Sequence, residues 1–247
     1  VMYRPAFAVQ ARELTTQQSI LQNQIEKLGD SMYKHGSMVI PGEVTYDLNH
    51  FSIKLTSFTG TLANFTDTVI TGGTSGVTAT VKSVAATDGT DPDTLFVKYS
   101  NSGTDNVSAS FTDGETITSS ASTGETAVVS SSHTGCAAFI DAGTYYINGF
   151  FVEVDSQSLI LDKYTNTPDY RVGLTVTENF ITSTDDTTLL DNATGSSNAN
   201  ATGAHRFKID LTLTKLSLTS TQDASFVELM RVEDGVILNQ VVTTEYS

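Results

Sequence analysis

Asn148-Gly149 lies between two apolar triplets, Tyr145-Tyr146-Ile147 and Phe150-Phe151-Val152. Both turn residues accept positive φ, so the octapeptide predicts an antiparallel hairpin closed by a tight primed turn. The same grammar runs through most of the chain. Residues 158–161 and 170–176 read as strands. Phe207, Ile209, Leu211 and Leu213 alternate with Lys208, Asp210, Thr212 and Thr214, the pattern of a half-buried strand. Residues 183–203 form a polar loop. Beyond it, 226–232 and 236–238 flank Glu233-Asp234-Gly235, which predicts a further hairpin or a short helix with a turn. Residues 37–59 break at Pro41-Gly42 and then alternate through Tyr46, Leu48, Phe51, Ile53 and Leu55, which reads as a strand pair.

Residues 60–135 have a composition of their own, with eight acids, two bases and many Thr, Ser and Gly. Apolar runs at 68–70, 77–84, 95–99 and 111–117 are separated by Gly72-Gly73-Thr74-Ser75-Gly76, Asp88-Gly89 and Asp113-Gly114. Short strands with regular turn signals predict a small β sandwich or barrel, here inserted between segments that read as continuous. The Ser/Thr-rich stretch 118–134 reads as a loop or linker back. The expected organisation is an N-terminal helix over 1–36, a main β domain from 37–59 and 136–247, and an inserted β module over 60–135. The fold class expected is mainly β with a long N-terminal α-helix and small antiparallel β sandwich or barrel domains.

The helix is the exception to the β pattern. From about residue 10 to 33 there is no Pro, and Gly29 is the one Gly. Leu14, Leu21, Ile25, Leu28 and Met32 recur at heptad spacing, with Gln18 in the remaining seam position. Such a seam either covers the chain's own β domain or meets copies of itself, with Gln18 setting register.

Composition excludes several chemistries. Thirteen bases against 28 acids give a net charge of −15, a field that repels nucleic-acid phosphates. No apolar run is long enough to span a bilayer, so no membrane insertion is expected, nor a leader segment. Cys136 is the sole cysteine, which excludes an internal disulfide or a cysteine-rich metal site; followed by Ala137 and Ala138, it reads as a small core residue. The four histidines, at 35, 50, 133 and 205, show no metal or catalytic spacing. The Gly-rich 72–76 segment lacks a phosphate-loop signature and reads as a tight turn. Asp88, Asp91 and Asp93 offer oxygens to Ca²⁺ but lack EF-hand spacing, and read as a solvated turn. Asp185, Asp186 and Asp191 could pair for glycoside hydrolysis, but lie in a polar loop with no aromatic residue to stack a sugar. No catalytic, cofactor-binding or metal residue is therefore assigned, no cofactor is expected, and the chain is not read as an enzyme.

Several segments resemble a family of tail-associated structural proteins of cyanophages and other contractile-tailed phages. They are Pro5 through Leu14, Gln18 through Gln24, Lys34-His35-Gly36-Ser37, Gly143 through Val152 and Leu161-Asp162-Lys163-Tyr164. Pro168-x-Tyr170-Arg171-Val172-Gly173-Leu174, Thr188-x-Leu190-Asp191-Asn192-Ala193 and Leu211-Thr-Leu-Thr-Lys215 extend the likeness, which covers roughly 1–58 and 136–245. The resemblance implies a structural virion protein, the tail- or baseplate-attached part of a fibre, acting in assembly and anchoring. It further implies a homotrimer bundled through Leu14, Gln18, Leu21, Ile25, Leu28 and Met32, with other tail or baseplate proteins as partners. Two alternatives remain: a receptor-binding module in which 60–135 contacts the host, and a polysaccharide depolymerase.

Overall fold

The computed structural model describes residues 1–3, 5–121, 123–221 and 224–241. Among the described residues one α-helix, α1 (Ala11–Asp30), precedes fourteen strands. The first seven are β1 (Met38–Ile40), β2 (Val44–Phe58), β3 (Val69–Gly72), β4 (Thr78–Ala85), β5 (Thr94–Asn101), β6 (Thr116–Ser119) and β7 (Thr126–Ile140). The rest are β8 (Gly143–Ile147), β9 (Phe150–Val154), β10 (Gln157–Asp162), β11 (Tyr170–Ile181), β12 (Arg206–Ser217), β13 (Phe226–Glu233) and β14 (Val236–Gln240). Among the described residues every strand pairing is antiparallel. The chain is mainly β with a single N-terminal helix.

β2 and β7 form the spine. Each has 15 residues, about 50 Å of extended chain at roughly 3.3 Å per residue. They pair from Val44↔Ile140 to Phe58↔Ala127. Along one half, β10 adds to β7. Along the other half, the order β7-β2-β5-β4-β3-β6 returns to β7 and closes a barrel. Closure leaves that barrel no free edge.

Two hydrophobic cores result. Phe65, Ile70, Val81, Leu95, Val97 and Ile117 fill the barrel together with Ile53 and Leu55 of β2 and Val129 of β7. The body core collects Met38, Tyr145, Ile147, Leu161, Leu174, Leu213 and Met230. The change from one core to the other therefore falls inside β2 and β7. Residues 60–135 do not enclose their core alone, because fully buried Ile53 comes from the segment before them.

The body uses two further sheets, β1-β8-β9 and β12-β11-β13-β14. The hairpin β8–β9 turns at Asn148 (φ 47°) and Gly149 (φ 85°), as the Asn-Gly pair predicts. β13 and β14 are likewise joined as a hairpin, through Asp234 (φ 48°) and Gly235 (φ 76°). Within the last sheet Arg171 is 2% exposed. Its Nε lies 2.6 Å from Glu228 Oε2 and its Nη1 donates to the Ser220 carbonyl at 2.8 Å. A buried guanidinium is tolerable only with such partners.

Three expectations need correction. β1 and β2 do not pair with each other: Met38 pairs opposite Tyr145 of β8 and joins the body core, while β2 pairs with β7 and β5. The linker expected over 118–134 contains the first half of β7, where Ala127 and Val129 turn into the barrel while Thr126, Val128 and Ser130 alternate with them on the half-buried or exposed face. The strand expected over 111–117 is confined to β6, because 112–115 turn back on themselves through a Glu115 N–H to Thr112 carbonyl bond of 3.1 Å.

Candidate functional site

α1 begins where the Gln10 N–H donates to the Glu13 carboxylate at 2.8 Å, half of a capping box. It ends at Asp30 rather than running to 33: the Met32 N–H bonds the Gly29 carbonyl three residues back at 2.9 Å, which tightens the last turn. At about 1.5 Å per residue the helix is a rod of roughly 30 Å.

This rod rests on the β8–β9 hairpin through its polar side. Gln22 Nε2 donates to the Gly149 carbonyl at 2.9 Å. The Tyr146 hydroxyl lies 2.9 Å from the Glu26 carbonyl oxygen and 2.7 Å from Asp30 Oδ1. Two glycines permit this approach. A Cβ on Gly29 would stand 2.4 Å from the Tyr146 ring, and one on Gly149 would stand 2.7 Å from Glu26 Cγ. Tyr33 completes the contact, with its ring centroid 6.0 Å from that of Tyr146 and 5.9 Å from that of Phe151.

Gln22, Glu26, Gly29 and Tyr33 are thus the face that docks. At about 100° per residue they lie roughly a quarter turn from the heptad seam. The seam faces solvent: Leu14 is 57% exposed, Leu21 56%, Ile25 47%, Leu28 63% and Met32 43%. Gln18 is exposed as well. The seam does not cover the chain's own β domain. A stripe of large apolar side chains along a whole helix is unusual on the surface of a self-contained protein.

A second surface, with aromatic walls and a charged rim of Glu153, Arg206 and Lys208, adjoins it, which periodicity alone did not indicate. A groove of about 780 Å³ runs between Gln18 and the strands β9 and β12, walled by Phe150, Phe151 and Phe207. Phe207 packs 5.4 Å from Phe150 and 5.5 Å from Phe180. Phe180 is 70% exposed. β11 and β12 carry these rings beyond the core because they pair without interruption to Ile181↔Arg206. The one sequence sign was Phe207, the outermost residue of the β12 alternation.

The polar clusters weighed in the sequence are engaged within the fold. The 72–76 turn surrounds a carboxylate of the chain itself. Glu115 Oε2 accepts the N–H groups of Thr74 and Ser75 at 3.0 and 2.9 Å, and Oε1 accepts the Ser75 hydroxyl and the Thr112 N–H at 2.8 and 2.6 Å. Burial opposes ionisation of Glu115, but these donors outweigh it and hold the carboxyl below its ordinary pKa. Lys163 Nζ sits 3.1 Å from Asp88 and 2.8 Å from Asp91, tying the barrel's 87–93 turn to the body. Asp185 accepts from the Thr182 N–H and hydroxyl, and Asp186 from those of Thr188; each serves its own turn. Cys136 is fully buried, and burial pushes its thiol up to about 11.

Among the described residues no group of three or more His, Cys, Asp or Glu is placed to hold a metal ion. Among them, too, no helix is long and apolar enough to cross a membrane. No curated protein matches the chain, and neither does any solved structure. A family model does match residues 98–247, from within β5 to the end of the sequence, a stretch that holds the β8–β9 platform but not α1. That match covers more than half of the sequence, and the chain belongs to the family described as Domain of unknown function (DUF4815).

Proposed function

We propose that this chain is a structural assembly protein, the tail- or baseplate-attached part of a phage fibre, which trimerises through α1. The observation that carries the reading is the outward-facing seam of Leu14, Leu21, Ile25 and Leu28, continued by exposed Met32 just past the helix end, on a helix whose other side is already docked. A seam repeated at heptad spacing buries itself most completely against copies of the same seam. The resemblance of residues 5–37 and 143–152 to tail-associated proteins supplies the setting: a virion, with other tail or baseplate proteins at one end of the bundle. The task is mechanical, and no residue is assigned a catalytic role. In this reading the polar docking face fixes the helix to the hairpin, so that three bodies are carried round one bundle. The aromatic groove beside Gln18 would then receive the flank of a neighbouring chain.

Sedimentation equilibrium of the wild type and of Leu21→Asp tests this. Leu21 touches solvent in the single chain, so the substitution should leave the melting curve of the β body unchanged. In a bundle it places one carboxylate per chain in an apolar seam, which costs several kcal/mol per site. The expected result is three times the chain mass for the wild type and one for the variant. A monomeric wild type at high concentration, or a trimeric variant, would overturn the reading.

A further inference from the structure

The barrel carries a cavity that the assembly reading leaves unused. It holds about 590 Å³ where β5 parts from β2 at the junction with the body, within the range of roughly 300–1,000 Å³ usual for small-molecule sites. Its walls are flat rings: Phe51, Tyr99, His50 and Phe139. Phe51 and Tyr99 meet edge to face at 5.1 Å, and His50 stands 6.0 Å from Phe139. These side chains are half-buried, so their faces are held in place yet reachable.

Charge at the rim is selective. Residues 60–135 contain eight acids and two bases, and both bases, Lys82 and Lys98, line this cavity. Both are exposed, and neither belongs to an ion pair found among the described residues. Asp47 and Asn49 stand on the same rim. Asp47 Oδ1 accepts the Asn49 N–H at 2.8 Å and its Oδ2 stands 3.8 Å from His50 Nδ1; a carboxylate has about four lone-pair sites, so it can still accept from hydroxyls, and the Asn49 side-chain amide offers both donors and an acceptor.

We infer that this cavity binds an acidic saccharide, with the carboxylate of a uronic-acid unit between Lys82 and Lys98 and a sugar face against the rings of Phe51 and Tyr99. A purely apolar ligand would dehydrate the lysines and Asp47 without giving them partners. An aromatic acid would satisfy the lysines but not Asp47 and Asn49. A polyphosphate would satisfy the lysines but offers neither hydroxyls to Asp47 and Asn49 nor an apolar face to the rings. A carboxylated sugar ring supplies an anion, several hydroxyls and an apolar face together. The site does not depend on α1 or on oligomeric state.

Calorimetric titration of the full chain with tri-galacturonate tests the inference, with maltotriose as the neutral probe and phenylacetate as the aromatic acid. Tri-galacturonate should bind, and maltotriose should not. Lys82→Ala/Lys98→Ala, which alters exposed residues only, should weaken tri-galacturonate by at least about tenfold. A Lys27→Ala/Lys34→Ala control, outside the cavity, should not. The attraction should also fall as salt rises. The inference is overturned if tri-galacturonate gives no binding at about 10 mM, if the cavity variant binds as tightly as the wild type, if the control variant loses as much, or if phenylacetate binds in preference.

Discussion

The barrel and the body solve the same problem of burial in opposite ways. The barrel returns its sixth strand to its first and leaves no edge, and even its glycine-rich turn is filled by its own Glu115. The body stops short. Its sheets keep open edges, its last sheet projects Phe180 and Phe207, and its helix turns five large apolar side chains to solvent. Because the two share β2 and β7, this contrast does not come from two unrelated folds. One pair of strands is closed over at one end and left with surface to spare at the other. Surface left apolar at the cost of solubility is where association is expected.

The largest effect expected from breaking this contrast concerns where the barrel is cut. Removing 62–133 leaves Ile53 and Leu55 without their core, so that protein should aggregate or lose its cooperative melt. Removing 51–134 and joining His50 to Gly135, which face each other in the ladder, through Asn-Gly should leave a soluble body with its own melt. Thermal unfolding and light scattering of the two deletions decide it. Equal behaviour would place the boundary elsewhere.

Glu228→Gln comes next. It withdraws the carboxylate from buried Arg171 and should cost about 3–5 kcal/mol, seen as a large drop in the denaturant midpoint. Arg231, bonded to the same carboxylate at 3.0 Å, is mostly outside the core, so Arg231→Ala should cost far less.

The equivalent change in the barrel is milder. Glu115→Gln keeps an acceptor but turns an amide N–H towards backbone donors, and should cost about 1–3 kcal/mol. The folded-state pKa of Glu115 lies below its ordinary value. Its contribution is therefore complete above the ordinary carboxylate pKa and is lost as pH falls through the folded value. The wild type should lose stability in acid over that window, and Glu115→Gln should show a shallower loss.

The smallest effect is at the helix platform. Gly149 has φ 85°, where alanine is strained, and its Cβ would press on Glu26. Gly149→Ala should cost about 1–2 kcal/mol and speed amide exchange in α1 more than in the barrel.

What was legible in the sequence divides along the same line. The seam from Leu14 to Met32 shows its period locally, and Asn148-Gly149 writes its turn in two letters. β7 was hidden because its barrel half carries Ser130, Ser131, Ser132, His133 and Thr134. Its pairing there is set by β2, some 80 residues earlier, and not by an apolar pattern of its own. β1 misled for a related reason: its partner, β8, is more than 100 residues distant, while its chain neighbour β2 pairs elsewhere. The face by which α1 docks was unreadable because it is polar, resting on Gln22, Glu26 and a glycine. The cavity at Lys82 and Lys98 gathers residues from four strands, β2, β4, β5 and β7, which no local spacing brings together.

The central claim is that the solvent-facing seam of α1 meets copies of itself. Cys136 is buried and is the sole cysteine, so a cysteine introduced on the helix reports its own surroundings. Leu28→Cys lies on the seam; Asn23→Cys is exposed on the far side, roughly half a turn round. After mild oxidation of the folded protein, Leu28→Cys should run as a disulfide-linked pair on a non-reducing gel while Asn23→Cys stays a single chain. Failure of Leu28→Cys to cross-link, or equal cross-linking at both positions, would contradict the claim.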